Sequence, residues 1–370
     1  MAPQQDHQKQ DGDSAETTYA VVIPTLGRPS LSVTLRALAE AAGPRPDRVI
    51  LVDDRPGTGG TDGTTPLPVD VPAALRAVTT VVSGRARGPA AARNTGWRAV
   101  GGVPWIVFLD DDVVPGPTWG DDLALDLAAA APDDAAVTAR IDVPLPTDRK
   151  PTDWERNTAG LATARWITAD MAYRREALEA VGGFDERFRR AFREDADLAL
   201  RVIAAGWTVA TGTRSTAHPV RPAGRWISVR LQAGNADDVL MTRLHGPDWW
   251  SRADAPRGRL PRHLAVTAAA VGTVACAALR KPGTATACAA LWLAGTAEFA
   301  LARILPGPRH RDEVAAMALT SVLIPPAAVW HWLRGQAVHR GTEQYDPRPA
   351  GPGHAPAPPI RPAREERVHR

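Results

Sequence analysis

The sequence predicts an α/β protein, a mostly parallel central sheet flanked by helices, with a further set of Ala-rich helices toward the C-terminus. Two observations predict the sheet. Residues 20–24, 49–52 and 105–109 are short apolar runs with the length and β-branched content of buried strands. Residues 20–31 begin as an apolar strand that breaks at Pro24 and lead through Gly27 and Pro29 into an amphipathic helix, so strand, helix and strand follow in order. That order implies parallel strands joined by right-handed crossovers, with ligand-binding residues collected at the carboxyl ends. A third observation, the apolar character that sets in at His263, predicts the terminal helices.

The run WIVFLDDDVVP ends in Asp110, Asp111 and Asp112. Three carboxylates at one strand end repel one another unless a positive charge sits between them, and oxygen ligands of this kind suit a divalent cation, Mg²⁺ or Mn²⁺. A solvated acidic turn is the competing reading. Asp53 and Asp54 close the second strand in the same way, either reading a ligand or capping a turn. Thr25, Asp53, Asp54, Asp110 and Asp112 are therefore expected on one edge of the sheet.

A later segment, residues 167–202, contains GGFDE and then REDADLALR. Together with the strand-end motifs, in this order, it resembles the family 2 glycosyltransferases of the GT-A fold, over residues 19–222. The resemblance implies transfer of a sugar from a nucleotide-diphosphate donor, with inversion at the anomeric carbon. It assigns donor binding to Thr25, Arg28, Asp53, Asp54, Arg93, Asp110 and Asp111, and the metal to Asp110, Asp112 and His218. Asp195 is the implied general base with Glu194 as alternate; both begin a helix, whose dipole favours the ionised form. Asp170, Gly183, Phe184 and Asp185 are the implied acceptor-binding residues.

Each role has a plainer rival. His218 precedes a proline and can be a turn residue, Arg93 can be a structural ion pair, and Asp170 can pair with Arg174 or Arg175. Asp197 and Arg201 have the i, i+4 spacing of a surface pair. Trp226, Trp249 and Trp250 can stack on a sugar or lipid, or simply pack.

The formal charge of +3 carries no nucleic-acid footprint, because Lys9, Lys150 and Lys281 are the only lysines and the Arg excess accompanies abundant Ala, Gly and Pro. Cys276 and Cys288 lie in apolar surroundings without metal-ligand spacing and read as small buried residues. The first eighteen residues lack the apolar core of a secretory signal, and the catalytic part is expected in the cytoplasm.

The chain divides into a disordered tail (1–18), a catalytic domain (19–235), a connector (236–262), an apolar helical region (263–335) and a Pro/Arg-rich tail (336–370). Residues 56–68 form a Gly/Thr/Pro loop after the Asp53 and Asp54 strand. The first uncharged run of the helical region is 16 residues, about 24 Å of helix against a hydrocarbon core of roughly 30 Å. The second run carries Glu298 and Arg303, the third Pro325 and Pro326, and the flanks are basic on every side. These features favour helices lying on the inner face of the membrane, or packed on the catalytic domain, over three spans.

The expected partners are a nucleotide-diphosphate sugar, a glycan, lipid or small-molecule acceptor, and a membrane surface. A catalytically silent sugar-binding or scaffolding relative would have lost acidic motifs that are present here. A nucleotidyltransferase would carry a Gly-rich loop with a Lys near the first strand, where this chain has no Lys. An oxidoreductase would show G-x-G-x-x-G after that strand, and it does not.

Overall fold

The computed structural model describes residues 18–57 and 66–346. The expected tails at 1–18 and 336–370 and the loop at 56–68 therefore lie largely outside the described residues. The chain opens with β1 (Tyr19–Thr25), α1 (Ser30–Glu40), β2 (Arg48–Asp53), α2 (Ala73–Arg76), β3 (Thr79–Ser83), α3 (Pro89–Ala99) and β4 (Trp105–Leu109). It continues through β5 (Val114–Pro115), α4 (Trp119–Ala129), β6 (Asp134–Asp142), α5 (Asp153–Ala159), β7 (Asp170–Arg174), α6 (Arg175–Val181), α7 (Glu194–Ala204) and β8 (Thr208–Ala217). The remaining elements are helical: α8 (Ile227–Arg230), α9 (Gly234–His245), α10 (Trp249–Arg252), α11 (Leu260–Ala278), α12 (Pro282–Ile304) and α13 (Arg311–Val338).

The strands form one mixed sheet in the order β3-β2-β1-β4-β7-β6-β8-β5. β1, β2, β3 and β4 are mutually parallel, while β7 runs antiparallel to both β4 and β6. β1 lies between β2 and β4, so successive crossovers leave it in opposite directions and a crevice opens at its carboxyl end. β1, β2 and β4 are apolar and almost wholly buried because helices cover both faces.

β1 runs through Pro24 rather than stopping there. Asp54 N donates to the Thr25 carbonyl at 2.9 Å, so Thr25 faces β2 and the missing N–H of Pro24 faces the other side. There the pairing with β4 has already ended at Val22, and the proline costs no ladder bond.

Helix ends follow local chemistry. Pro89 starts α3, and Thr152 with Glu155 forms a reciprocal capping box on α5. Gly182 ends α6 in the left-handed conformation. At Gly183, φ is +76° and a Cβ would stand 2.4 Å from Asn94 Oδ1, so only glycine fits the turn.

The 236–262 segment is helical for much of its length and packs tightly. Leu240, Met241, Leu244 and Trp249 share a core cluster with Phe188, Ala196 and Leu200. α11, α12 and α13 contain 19, 23 and 28 residues and are each long and apolar enough to cross a membrane. α11 is longer than the uncharged run suggested because it begins upstream, at Leu260, and α13 continues through both prolines. α13 buries Met317, Thr320, Ser321, Ile324, Ala328 and Gly335, with Gly335 against Ala236 and Val239 of α9. α11 and α12 pair with each other and stay almost entirely bare. Cys276 and Cys288 are half-buried rather than buried, and Cys288 Sγ packs against Gly272.

Candidate metal and donor site

The carboxyl ends of β1, β2 and β4 bring the expected acidic residues to one side of the sheet, and the side chains there divide into two groups. Asp110, Asp112 and His218 each offer a ligand atom, and these atoms lie within 4.8 Å of one another. β4 delivers the two aspartates, and the end of β8 delivers His218, whose N–H donates to the Asp142 carbonyl at 2.7 Å. Asp112 is buried, and burial, reinforced by the charge of Asp110, pushes its carboxyl above the ordinary range. His218 Nδ1 is buried without a hydrogen-bond partner among the described residues. Two acids and an imidazole with an unpartnered ring nitrogen fit the donor set of a divalent cation such as Mn²⁺ or Mg²⁺.

Asp111 turns the other way. Its Oδ2 accepts from Thr25 Oγ1 at 2.7 Å and its Oδ1 pairs with Arg28 at 3.0 Å. Both oxygens thus fasten the turn after β1, so Asp111 and Thr25 are committed to each other. Arg28 stays partly exposed.

Asp53 and Asp54 flank this turn. Arg55 donates to Asp53 through Nε at 2.9 Å and Nη2 at 2.7 Å, which holds its carboxyl below the usual range. Asp54 accepts from the backbone N–H groups of Arg87 and Gly88 at 2.9 and 2.8 Å, but burial outweighs these bonds and moves it upward. It thereby ties β2 to the start of α3.

Arg93 is buried and lies between Asp110, 2.7 Å from Nη2, and Glu194, 2.8 Å from Nη1. It serves as an internal bridge, which is the plainer of its two readings. Glu194 is also buried, and burial together with the charge of Asp195 moves its carboxyl upward. Asp195 is partly exposed, and its carboxylate accepts from the N–H of Ala196 at 2.7 Å. Burial raises its carboxyl as well, against the pull of that N–H and of Arg93 and Arg193. Of the two acids, Asp195 is the more exposed, while Glu194 keeps one oxygen, Oε2, without a hydrogen-bond partner among the described residues.

The four expected acceptor residues are placed elsewhere. Asp170 is fully buried, accepting from Trp119 Nε1 at 2.7 Å, Arg214 Nε at 2.9 Å and Thr216 Oγ1 at 2.6 Å. Its partner is thus Arg214 of β8 rather than Arg174 or Arg175. Asp185 is clamped by Arg187, and Phe184 packs edge-on against Phe108 at 5.1 Å. Gly183 forms the Asn94 turn. A strand and a tight turn in the core leave none of these side chains free for a ligand.

Asp197 and Arg201 are buried rather than on the surface. Arg201 bonds Asp197 Oδ2 at 2.7 Å, and His245 of α9 meets Oδ1 at 2.8 Å. Trp249 and Trp250 stack on each other 4.0 Å apart, with Arg193 over both rings, so they pack instead of lining the site.

Arg221 escaped the sequence reading. Its Nε lies 2.7 Å from Asp112 Oδ2, and its carbonyl accepts from Trp154 Nε1 at 2.7 Å. Its position three residues after His218 was the available signal. Arg55 beside Asp53 is the other omission, visible as the residue after the acidic pair.

The family model described as glycosyl transferase family 2 matches residues 20–195. No curated protein matches the chain. Among solved structures, the chain is similar to a mannosyltransferase, PcManGT from Pyrobaculum calidifontis, in complex with GDP-Man and Mn²⁺, at 20% identity. That match covers 87% of this chain and 88% of the other with a TM-score of 0.49. A mycobacterial protein matches at 17% identity over 66% of this chain and 77% of its own, with a TM-score of 0.40. GalNAc-T7 with UDP, GalNAc and Mn²⁺ matches at 15% identity over 63% and 49%, with a TM-score of 0.42.

Proposed function

We propose that this chain, whose residues 20–195 match the glycosyl transferase family 2 model, moves a sugar from a nucleotide-diphosphate donor to an acceptor hydroxyl with inversion. The observation that carries the metal-dependent form of this reading is the convergence of Asp110, Asp112 and His218. A divalent ion held by them would supply Lewis-acid stabilisation to the departing diphosphate. Arg221 adds a positive charge beside Asp112, and Asp53, Asp54 and Arg28 are the remaining candidates for contact with the donor. Asp195, partly exposed at the start of α7, takes the proton from the acceptor hydroxyl, and burial, which raises its carboxyl, makes it a stronger base than a fully solvated aspartate. Attack from the face opposite the leaving group gives a single displacement.

The catalytic domain is read as cytoplasmic, at the inner face of the membrane. The support is α11 and α12, whose apolar surfaces remain bare.

The test is a thermal-shift series of the purified chain with UDP, GDP, CDP and dTDP sugars, each with and without Mn²⁺. Metal-dependent stabilisation by one donor, abolished in Asp112→Ala, is expected. Equal stabilisation without Mn²⁺ would remove the metal, and retention in the product, read by NMR, would remove the single displacement.

A further inference from the structure

A cavity of about 330 Å³ lies between the candidate metal site and α13. Its polar side is Arg221, Arg225 and Trp154, and its apolar side is Val220, Ile227 and Met317. Arg221 joins it to the metal group through Asp112, and the Trp154 bond to the Arg221 carbonyl fixes that wall. Two acids also border it: Glu155 pairs with Arg149 at 2.7 Å, and Glu313 is turned to the Asp153 N–H, from which it accepts at 2.8 Å. Arg225 is exposed and makes no ion pair among the described residues. The cavity therefore offers an exposed guanidinium, without an ion pair among the described residues, at one side and hydrocarbon at the other.

α13 supplies the apolar wall, and its outer surface points to what reaches that wall. Opposite the stripe buried on the catalytic domain, Leu319, Val322, Leu323, Trp330 and Leu333 are exposed. Their spacing repeats on one helix face. The α11–α12 pair is bare as well, and Arg303 at the end of α12 pins it to Asp153 at 2.8 Å, immediately before Trp154. Apolar helices that face outward thus meet the catalytic domain at the cavity's edge.

We propose that this cavity is the head-group site for the acceptor, and that the acceptor is an anionic lipid whose head group carries a phosphate and a free hydroxyl. Arg225 holds the phosphate, the chain lies along Met317 and Ile227, and the hydroxyl extends past Arg221 toward Asp195. This deepens the glycosyltransferase reading and rests on it for the reaction, but the binding site stands on its own geometry.

The test titrates the full chain in detergent micelles with dioctanoyl phosphatidylglycerol, dioctanoyl phosphatidylcholine and glycerol 3-phosphate by calorimetry. Phosphatidylglycerol is expected to bind about tenfold or more tighter than either comparator, because only it combines net charge, hydroxyls and chains. Arg225→Gln and the cavity-filling Met317→Trp should each weaken it by about tenfold or more, while donor-and-Mn²⁺ stabilisation is retained in both variants. Retention of that stabilisation reports that each variant is folded. Equal binding of glycerol 3-phosphate overturns the lipid in favour of a soluble phosphate. Equal binding of phosphatidylcholine, no binding of phosphatidylglycerol, or indifference to both variants overturns the site. Lipid binding without any donor response would instead sink the donor reading and leave the lipid site standing.

Discussion

Arg93 and Glu194 form a buried ion pair, 2.8 Å from Nη1 to Oε1, with both side chains almost excluded from solvent. The same guanidinium holds Asp110 at 2.7 Å, so one residue of α3 fixes an acid of the metal group relative to the start of α7. This arrangement ties one oxygen of Glu194 and leaves Asp195 the more exposed of the two acids.

Arg93→Ala would strand Glu194 in the core without its counter-charge. A loss of about 3–5 kcal/mol is expected, the range for breaking a buried pair from one side. Denaturant unfolding measures it, and a loss below about 1 kcal/mol would place the pair in a wetter setting than its burial indicates.

Asp195→Asn should abolish transfer while donor affinity changes little, since the side chain has no part in the metal group. The comparison is product formation against nucleotide binding by calorimetry. Equal loss of both would move Asp195 from proton acceptor to binding or folding.

Arg193 stands at φ +76° immediately before Glu194 and is held by Asp238 at 2.9 Å and by the rings of Phe192, Trp249 and Trp250. Arg193→Gly relieves the backbone but releases α7 from α9 and α10. A lower kcat with an unchanged donor KM is expected, and partial recovery in Arg193→Lys would show that the charge contributes to the positioning.

The Asp197 carboxyl is held at about 2, because Arg201 and His245 outweigh a burial effect that by itself would raise it. A depressed acid contributes stability that is complete above its unfolded value, about 3.9, and is lost as pH falls through its folded value. Unfolding free energy should therefore drop between about pH 4 and pH 2, by on the order of 2 kcal/mol from this group. Acid titration of wild type against Asp197→Asn checks it; the variant should be less stable at pH 7 and show a flatter slope across that window.

Gly183→Ala should cost about 2 kcal/mol or more, since alanine resists positive φ and its Cβ would collide with Asn94. A melting midpoint within error of wild type would mean that the turn can rearrange.

Much of the site was legible because its residues lie in short contiguous motifs. Asp110, Asp112 and His218 follow strand ends, where strand direction alone sends them to the same side of the sheet. Asp111 was misplaced because adjacent residues at a strand end point in different directions, and only the position of the β1 turn decides which one it captures. Asp170 and Asp185 carry the same chemistry as the site acids. Their partners, Arg214 and Arg187, were not identified from sequence, and Arg214 lies 44 residues further along the chain from Asp170.

The amino-acid sequence alone determined the α/β class, the strand ends that bear the acids and the resemblance to family 2 glycosyltransferases, since each depends on local periodicity and on linked motifs. The tertiary structure alone decided which carboxylates are free. It paired Arg93 with Glu194, Asp197 with His245 and Arg221 with Asp112, contacts set by how distant elements pack. The same packing laid one face of α13 on the catalytic domain and left α11 and α12 bare, because a stripe of apolar residues specifies that burial occurs but not against what.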